Sequence, residues 1–236
     1  EAGEDILPNR DAYLAEARIK RGICLVQGGQ TQQAIVALTD FLGNHPADDR
    51  RDEATFWLAE AMYRADLLKN ATELYEEIVK RFTASRRREE AMYGLAWTYF
   101  RRRDFDRSTA MFGELVRTFP SSRYAAEAMA RRGDGLYIAR QFNAAADQYE
   151  AAARTAPQTE EGQYAAFQAG QASYRAGDME SAVRSMKRFV TTYPKSRLAD
   201  DAMYLIGWIS FQSRNDAQAV EEFRRLLATY PDGDQA

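Results

Sequence analysis

His45 is the only histidine in this 236-residue chain, so a hydrolase site with a histidine base would have to be built around it. Four of the other five repeats described below have Phe or Tyr at this place, which favours packing at a helix end over catalysis. The single cysteine, Cys24, falls in a column of small residues, and no Cys/His cluster has the spacing of metal ligands. Gly28 and Gly29 indicate a turn between helices rather than a phosphate-binding loop. The sequence therefore predicts no enzyme, no metal site and no cofactor.

The sequence does contain residues suited to binding a partner, because tryptophan and arginine are the side chains found most often at binding hot spots. Trp97 and Arg101 fall one helical turn apart and form the best single candidate for a contact with a partner. The full set of expected partner-binding residues is Trp57, Trp97, Arg101, Arg131, Arg175 and Trp208. The alternative is that the tryptophans pack against neighbouring helices.

The secondary-structure elements that position these residues can be inferred from a 37-residue repeat in the sequence. Five of the six prolines lie on a 37-residue grid, with Thr83 at the one skipped place: Pro46, Pro120, Pro157, Pro194 and Pro231. A column of small residues keeps the same spacing: Gly22, Ala59, Ala96, Gly133, Gly170 and Gly207. Opposite it we expect a column of large residues, here called the knob residues: Leu38, Tyr75, Phe112, Tyr149, Met186 and Phe223. The chain is thus a tandem array of one supersecondary unit, packed large against small.

The third repeat shows the unit most clearly. The segments EEAMYGLAWTYFRR and DRSTAMFGELVRTF each carry apolar residues at helical spacing, so each predicts an amphipathic helix. Asp104 is placed to cap the second helix, and Pro120 ends it. Asp178 and Asn215 are the equivalent expected caps in the fifth and sixth repeats. Two residues after each proline position we expect the N-cap of the next first helix, at Asp48, Ser85, Ser122, Thr159 and Ser196.

This pattern resembles the tetratricopeptide repeat (TPR) family. In the fourth repeat its signature residues are Gly133, Tyr137, Phe142, Ala145, Tyr149 and Pro157. The resemblance implies an all-α, right-handed α-solenoid of six 37-residue helix-turn-helix units. The expected units are 15–51, 52–88, 89–125, 126–162, 163–199 and 200–236, with 1–14 as the end of a preceding repeat or a linker.

The repeat is longer than the usual unit of about 34 residues. The extra residues fall between the proline and the next helix, so we expect each first helix to begin nearly a turn early. Links such as TFPSSRYAAEAM and TYPKSRLADDAMYLIGW resemble a bacterial cell-envelope subset, the BamD-like lipoproteins of outer-membrane β-barrel assembly and the Tol–Pal-associated periplasmic TPR proteins. The resemblance implies a periplasmic scaffold or one at the periplasmic face of the outer membrane.

Composition limits the partners. A net charge of −3 and a pI near 5.5 give no overall attraction to nucleic acid. No apolar run reaches the ~18–20 residues of a membrane span, so we expect membrane contact only through a lipid anchor outside this sequence. Because Glu1 is not an initiator methionine, we expect a piece of a longer protein whose upstream residues carry any signal peptide.

In TPR arrays the first helices line the groove. Three registers of each first helix share that face. The leading register holds Glu16, Glu53, Glu90, Glu127, Tyr164 and Asp201. The second holds Ile23, Glu60, Trp97, Asp134, Gln171 and Trp208, and the third Gln27, Arg64, Arg101, Ile138, Arg175 and Gln212. We expect an acidic ridge and a partly basic ridge with tryptophans between them, which is unlike a clamp for a peptide carboxylate.

These observations favour a non-enzymatic scaffold that binds a protein or peptide partner through its groove. One alternative is a structural spacer or subunit that uses its ends and convex face. Another is a regulatory module of a longer protein or a cytoplasmic adaptor. The arginine triplets Arg86–Arg88 and Arg101–Arg103 predict either solvated turns or a local contact with an anionic group.

Overall fold

In a computed structural model, which describes residues 10–231 and 233, the chain forms twelve α-helices and no strand in that part. The helices are α1 Arg10–Gln27, α2 Thr31–Asn44, α3 Arg51–Arg64, α4 Leu68–Arg81, α5 Arg88–Arg101, α6 Phe105–Thr118, α7 Ala125–Ile138, α8 Phe142–Thr155, α9 Glu160–Ala176, α10 Met179–Thr192, α11 Ala199–Gln212 and α12 Asp216–Thr229. Odd-numbered helices are the first and even-numbered helices the second members of six pairs. The expected all-α fold is confirmed.

The chain divides into two compact units, one ending at Met111 and the other beginning at Phe112, so the division falls inside α6. Helices that follow one another in sequence pack together from α1 to α5 in the first compact unit and from α7 to α12 in the second. First helices of neighbouring repeats also touch, α1 with α3 and α3 with α5 in the first compact unit and α7 with α9 in the second. First helices therefore form one layer of each compact unit and second helices the other.

The predicted packing of large residues against small ones is confirmed. Tyr75 and Tyr149 are buried knob residues, as are Leu38, Phe112 and Met186, while Phe223 is half-buried. A Cβ atom built on Gly133 would lie 2.7 Å from Cε1 of Tyr149. Real Cβ atoms do not approach other atoms so closely, so glycine lets the two helices cross at this distance.

Each first helix is followed within two residues by a residue in the left-handed region, and these residues keep the 37-residue spacing. They are Gly29, Asp66, Arg103, Arg140, Gly177 and Arg214. The backbone N–H of the following residue donates to a carbonyl five residues back, as Leu67 does to Met62 at 2.9 Å. This is the Schellman arrangement, which satisfies carbonyls at a helix end. Four of the six positions hold it without glycine.

The predicted N-caps of the first helices are wrong at four of five positions. α3, α5, α7 and α11 begin three residues after Asp48, Ser85, Ser122 and Ser196. These side chains instead accept a bond from the backbone N–H two residues on, for example Asp48 Oδ1 from Arg50 N at 2.9 Å. Local side-chain-to-backbone bonds of this kind stabilise turns and compete with helix. The extra residues of the repeat thus extend the turn, and the expected early helix start is wrong there.

The fourth junction is the exception. Thr159 is the N-cap of α9, and its Oγ1 accepts from the backbone N–H of Gly162 at 3.1 Å. The caps predicted for second helices are confirmed at Asp104, Asp178 and Asn215, each of which accepts from a backbone N–H three residues on.

The first helix starts earlier than the expected repeat boundary. Residues 1–14 were expected to end a preceding repeat or form a linker, but α1 begins at Arg10. Residues 10–14 therefore belong to the first helix pair, and residues 1–9 lie outside the described residues. In the part of the chain that the structure describes, no helix has both the length and the hydropathy needed to cross a bilayer.

Candidate partner-binding surface

Trp97 lies in an aromatic cluster on α5, in the first compact unit. Its ring is half-buried and stands edge-on to Tyr93 at 6.3 Å and to Phe100 at 5.4 Å between centroids. Phe100 is exposed and continues the apolar surface towards Phe105. The predicted tryptophan therefore combines packing with partial exposure.

Arg101 is engaged within the protein. Its guanidinium donates to the backbone carbonyl of Tyr63 at 3.0 Å and to the Asp66 carboxylate at 2.7 Å. It also lies 4.6 Å from the centroid of the Tyr63 ring. Arg64 donates in the same way to the carbonyl of Val26 at 2.9 Å. Arg64 and Arg101 thus each connect the C-terminal ends of two successive first helices.

Trp57 is held inside the first compact unit. Its half-buried ring packs against the core of α1–α4. The Arg87 guanidinium lies 5.4 Å from the ring centroids of both Phe56 and Trp57, and it pairs with Glu53 at 3.0 Å. These contacts favour packing over partner binding at Trp57.

The arginine triplets are also largely used internally. Besides Arg87, Arg88 donates to the carbonyl of Val79 at 3.3 Å. Arg102 donates to the Thr72 hydroxyl at 2.9 Å. The geometry therefore favours intramolecular contacts in the turns over an anion-binding cluster.

In the second compact unit, Asp134 is the shared acceptor of two tyrosines. Tyr149 and Tyr164 both donate to its Oδ1 at 2.7 Å, and Arg131 pairs with its Oδ2 at 2.7 Å. Burial, together with the bond to Asp134, raises the pKa of Tyr164 to about 12, and it also raises the pKa of Tyr149. The Arg131 guanidinium lies 5.6 Å from the Tyr164 ring. Arg131 and Asp134 are thus bound to each other and to the core.

Glu60 plays the same part in the first compact unit. It accepts a hydrogen bond from the buried knob residue Tyr75, and burial raises the pKa of that tyrosine. In both cases the acid precedes the tyrosine by 15 residues. Two acids of the second register, Glu60 and Asp134, are therefore used as acceptors by buried tyrosine hydroxyls. The sequence signal for this is an acid 15 residues before a knob tyrosine.

Three aromatic side chains on α11 form what we call the α11 aromatic ridge: Tyr204, Trp208 and Phe211. They fall at i, i+4 and i+7, and so share one face of the helix. The Tyr204 and Trp208 rings are stacked, 6.4 Å apart with an interplanar angle of 10°, and Phe211 lies 5.8 Å from Trp208. Tyr204 is 38% and Phe211 55% exposed. This is a continuous apolar surface in contact with solvent.

A neighbouring helix holds the ridge in place. Trp208 Nε1 donates to the Tyr174 hydroxyl on α9 at 3.1 Å, and that hydroxyl donates to Gln212 Oε1 at 3.0 Å. Arg175, one residue after Tyr174, is exposed in the last turn of α9. The sequence indicated Trp208 and Arg175 but missed Tyr204 and Phe211. Their helical spacing from Trp208 was the available signal.

The paired helices and repeating turns define a helical-repeat protein of the TPR class. The YfiO family, described as outer membrane lipoprotein, matches residues 15–134 and 131–236. This chain belongs to that family. The envelope-type TPR resemblance seen in the sequence is thereby confirmed.

Solved structures agree on the fold. MamA from Desulfovibrio magneticus RS-1 is 17% identical with a TM-score of 0.57, over 79% of this chain and 98% of that one. YrrB, described as a TPR protein with an unusual peptide-binding site, is 18% identical with a TM-score of 0.60, over 83% and 93%. PilW, described as a type IV pilus biogenesis factor, is 18% identical with a TM-score of 0.54, over 97% of each chain. These likenesses establish an all-α helical repeat solenoid. A comparison with curated protein sequences gives no match.

Proposed function

We propose that this protein is a non-enzymatic TPR scaffold that binds a protein or peptide partner through its first-helix face, in an assembly of the bacterial cell envelope. The observation that carries the proposal is the α11 aromatic ridge, in which Trp208 stands between the exposed rings of Tyr204 and Phe211. The family's description as outer membrane lipoprotein supports the periplasmic face of that membrane as its location.

The ridge has the physical properties of a binding surface. Full burial of one large apolar side chain stabilises a complex by about 1.5–3 kcal/mol, so Tyr204 and Phe211 offer a substantial gain. The bond from Trp208 to Tyr174 and the stacking on Tyr204 fix the rings beforehand, which lowers the entropy cost of binding. A partner segment with apolar side chains and few charges fits such a surface.

The other expected contact residues remain part of the proposal with smaller roles. Trp97, together with the exposed Phe100, provides a second aromatic surface in the first compact unit. Arg175 offers an exposed cation beside the ridge, whereas Arg101 and Arg131 support the surface through their carboxylate partners.

One observation favours the structural-subunit alternative. Val220 and Leu227 on α12 are 48% and 53% exposed. The equivalent residues of α2, α4, α6, α8 and α10 are buried or half-buried. The outer face of α12 is therefore suited to packing against another helix of the same kind. Concentration-dependent association in sedimentation velocity, lost on Val220→Glu with Leu227→Glu, would support this second role.

The proposed function is tested with peptides selected from a random display library on the native chain. Their affinities are then measured by fluorescence anisotropy against a ridge variant, Tyr204→Ser with Phe211→Ser. The matched control is Val36→Ser with Leu67→Ser, which removes two exposed apolar side chains of the first compact unit. We expect at least about tenfold weaker binding for the ridge variant and native binding for the control. Equal binding by both variants would refute the ridge as the site.

A further inference from the structure

A cavity of about 250 Å³ lies between α8, α9 and α10 in the second compact unit. Its walls come from the second helices α8 and α10, and its floor from α9. Ala166 and Ala169 on α9 contribute to the floor, so the cavity opens on the second-helix side of the repeat pair. It is separate from the face that carries the α11 aromatic ridge.

The cavity exists because three positions that are usually larger hold alanine. Ala153 stands where every other repeat has Leu or Val, and Ala169 where every other repeat has Leu, Ile or Arg. Ala166 stands where the others have Met, Thr or Arg. Interiors are packed without such gaps when side chains fill them. The cavity therefore results from the residues of this one repeat junction and is not a general property of the array.

The floor is apolar and the rim is cationic. Phe189 is buried and forms one wall beside Ala169. At the rim, Arg154 lies 3.2 Å and Arg188 3.5 Å from the carboxylate of Glu150. The two arginine side chains are 65% and 61% exposed and share this one acid. The rim thus keeps an excess positive charge in front of an apolar floor.

The far end of the cavity is fixed. The Tyr193 hydroxyl donates to the backbone carbonyl of Pro157 at 2.8 Å, joining the end of α10 to the turn after α8. Both residues line the cavity. A bond across the end keeps the two walls at a constant distance, so an occupant meets a preformed space.

We propose that this cavity is a second docking site, which takes one apolar side chain of a polypeptide partner with a carboxylate next to it in sequence. A volume below the usual ~300–1,000 Å³ of small-molecule sites suits a single Leu or Phe side chain. Arg154 and Arg188 then bind the neighbouring carboxylate, which competes with Glu150 for their donors. Acidic residues beside an apolar anchor are therefore selected, and basic ones are repelled.

The test uses three capped tripeptides as probes: acetyl-Asp-Phe-Glu-amide, acetyl-Asp-Ala-Glu-amide and acetyl-Lys-Phe-Lys-amide. Binding is followed by amide shifts in ¹H–¹⁵N spectra of the native chain. We expect saturable shifts at Ala153, Ala169 and Phe189 with the first peptide, with a dissociation constant of about 1 mM, and none with the other two. Shifts of equal size with the Lys peptide, or no saturable shift with any peptide, would overturn the proposal. Octanoate is added as a separate probe, and saturation by octanoate but not by the Asp-Phe-Glu peptide would point to a lipid and overturn it too.

Two variants make the result specific. Ala153→Val with Ala169→Leu fills the cavity with side chains that other repeats carry at these positions, so binding should be lost. Ala144→Leu is the matched control, because Ala144 is exposed on the same helix and does not line the cavity. Arg188→Glu should weaken binding about three- to fivefold, and Arg184→Glu on the same helix should not. Retained binding in the filled variant would also refute the proposal. Variants of the α11 aromatic ridge should bind these probes normally, so the two sites fail independently.

Discussion

Two glycines at the same place in neighbouring repeats should respond differently to alanine. A Cβ atom on Gly133 would lie 2.7 Å from the Tyr149 ring, and one on Gly170 would lie 2.7 Å from the terminal methyl of Met186. The two distances are equal, but the neighbouring side chains differ in how easily they can move. Tyr149 is a rigid ring whose hydroxyl is held by Asp134 at 2.7 Å, whereas the end of a methionine can rotate away.

The size of the difference follows from two opposing effects. Alanine in place of glycine within a helix stabilises the fold by about 0.5–1 kcal/mol. Overpacking against a side chain that cannot move costs about 1–3 kcal/mol. Gly133→Ala should therefore lower the free energy of unfolding by about 0.5–2 kcal/mol. For Gly170→Ala the gain in helix propensity remains, so its stability should equal or slightly exceed that of the native chain.

Thermal unfolding followed by circular dichroism gives the melting temperature of each variant, and both substitutions lie in the second compact unit. At about 2–4 °C per kcal/mol for a chain of this length, Gly133→Ala should melt several degrees below Gly170→Ala. Adding Tyr149→Phe to Gly133→Ala frees the ring from Asp134 and should reduce the cost of the alanine. If the two single variants had the same melting temperature, or if Gly133→Ala were the more stable, the packing argument would be refuted.

The turns and the buried tyrosines give two further predictions. Arg140→Gly should raise the free energy of unfolding by about 0.5–1 kcal/mol, because φ of Arg140 is 58°, in the left-handed region that favours glycine. Gly177→Ala at the same register should lower the free energy of unfolding by about 1 kcal/mol. Urea unfolding measures both variants, and a loss of stability in Arg140→Gly would contradict the strain argument. Tyr164 has a pKa of about 12 in the folded state, above its ordinary value of 10.0, so its contribution is fully present below pH 10 and is lost as pH rises through 12. Asp134→Asn should lower this pKa, and ultraviolet absorbance titration of tyrosinate would show an unchanged titration if Asp134 had no influence.

Much of the fold was predictable because each repeat places residues of similar size and capping type at the same positions. The glycine at Gly133 and the tyrosine at Tyr149 predict a close helix crossing from residue size alone, and the structure confirms it. The caps at Asp178 and Asn215 were predictable because their side chains bond to the next turn of the same helix. The N-cap predicted at Ser85 failed because a turn and a helix start use the same residue types. Only the backbone decides which of the two forms.

The candidate binding surface was less predictable, because residue type does not show which contacts a side chain makes within the protein. Arg101 was expected to contact a partner, but its guanidinium bonds to Tyr63 and Asp66 on the preceding repeat. Those partners lie more than 30 residues away in sequence, so no local pattern shows them. Trp208 could be proposed from its residue type, but the exposure of Tyr204 and Phe211 beside it depends on how far neighbouring helices cover them.

Where the knob residue is tyrosine, its hydroxyl is bonded to the first-helix residue 15 positions before it, on the face expected to line the groove. A buried tyrosine hydroxyl needs an acceptor, and Tyr75 and Tyr149 obtain one from Glu60 and Asp134. A phenylalanine knob makes no such demand. In the third and sixth repeats the knob is Phe, and the groove-facing residue is Trp97 or Trp208. In the second and fourth repeats the acid at this position is therefore used for packing, whereas in the third and sixth no knob hydroxyl requires an acid there. We therefore expect the sixth repeat, with its exposed aromatic ridge, to be better suited to a partner than the second and fourth.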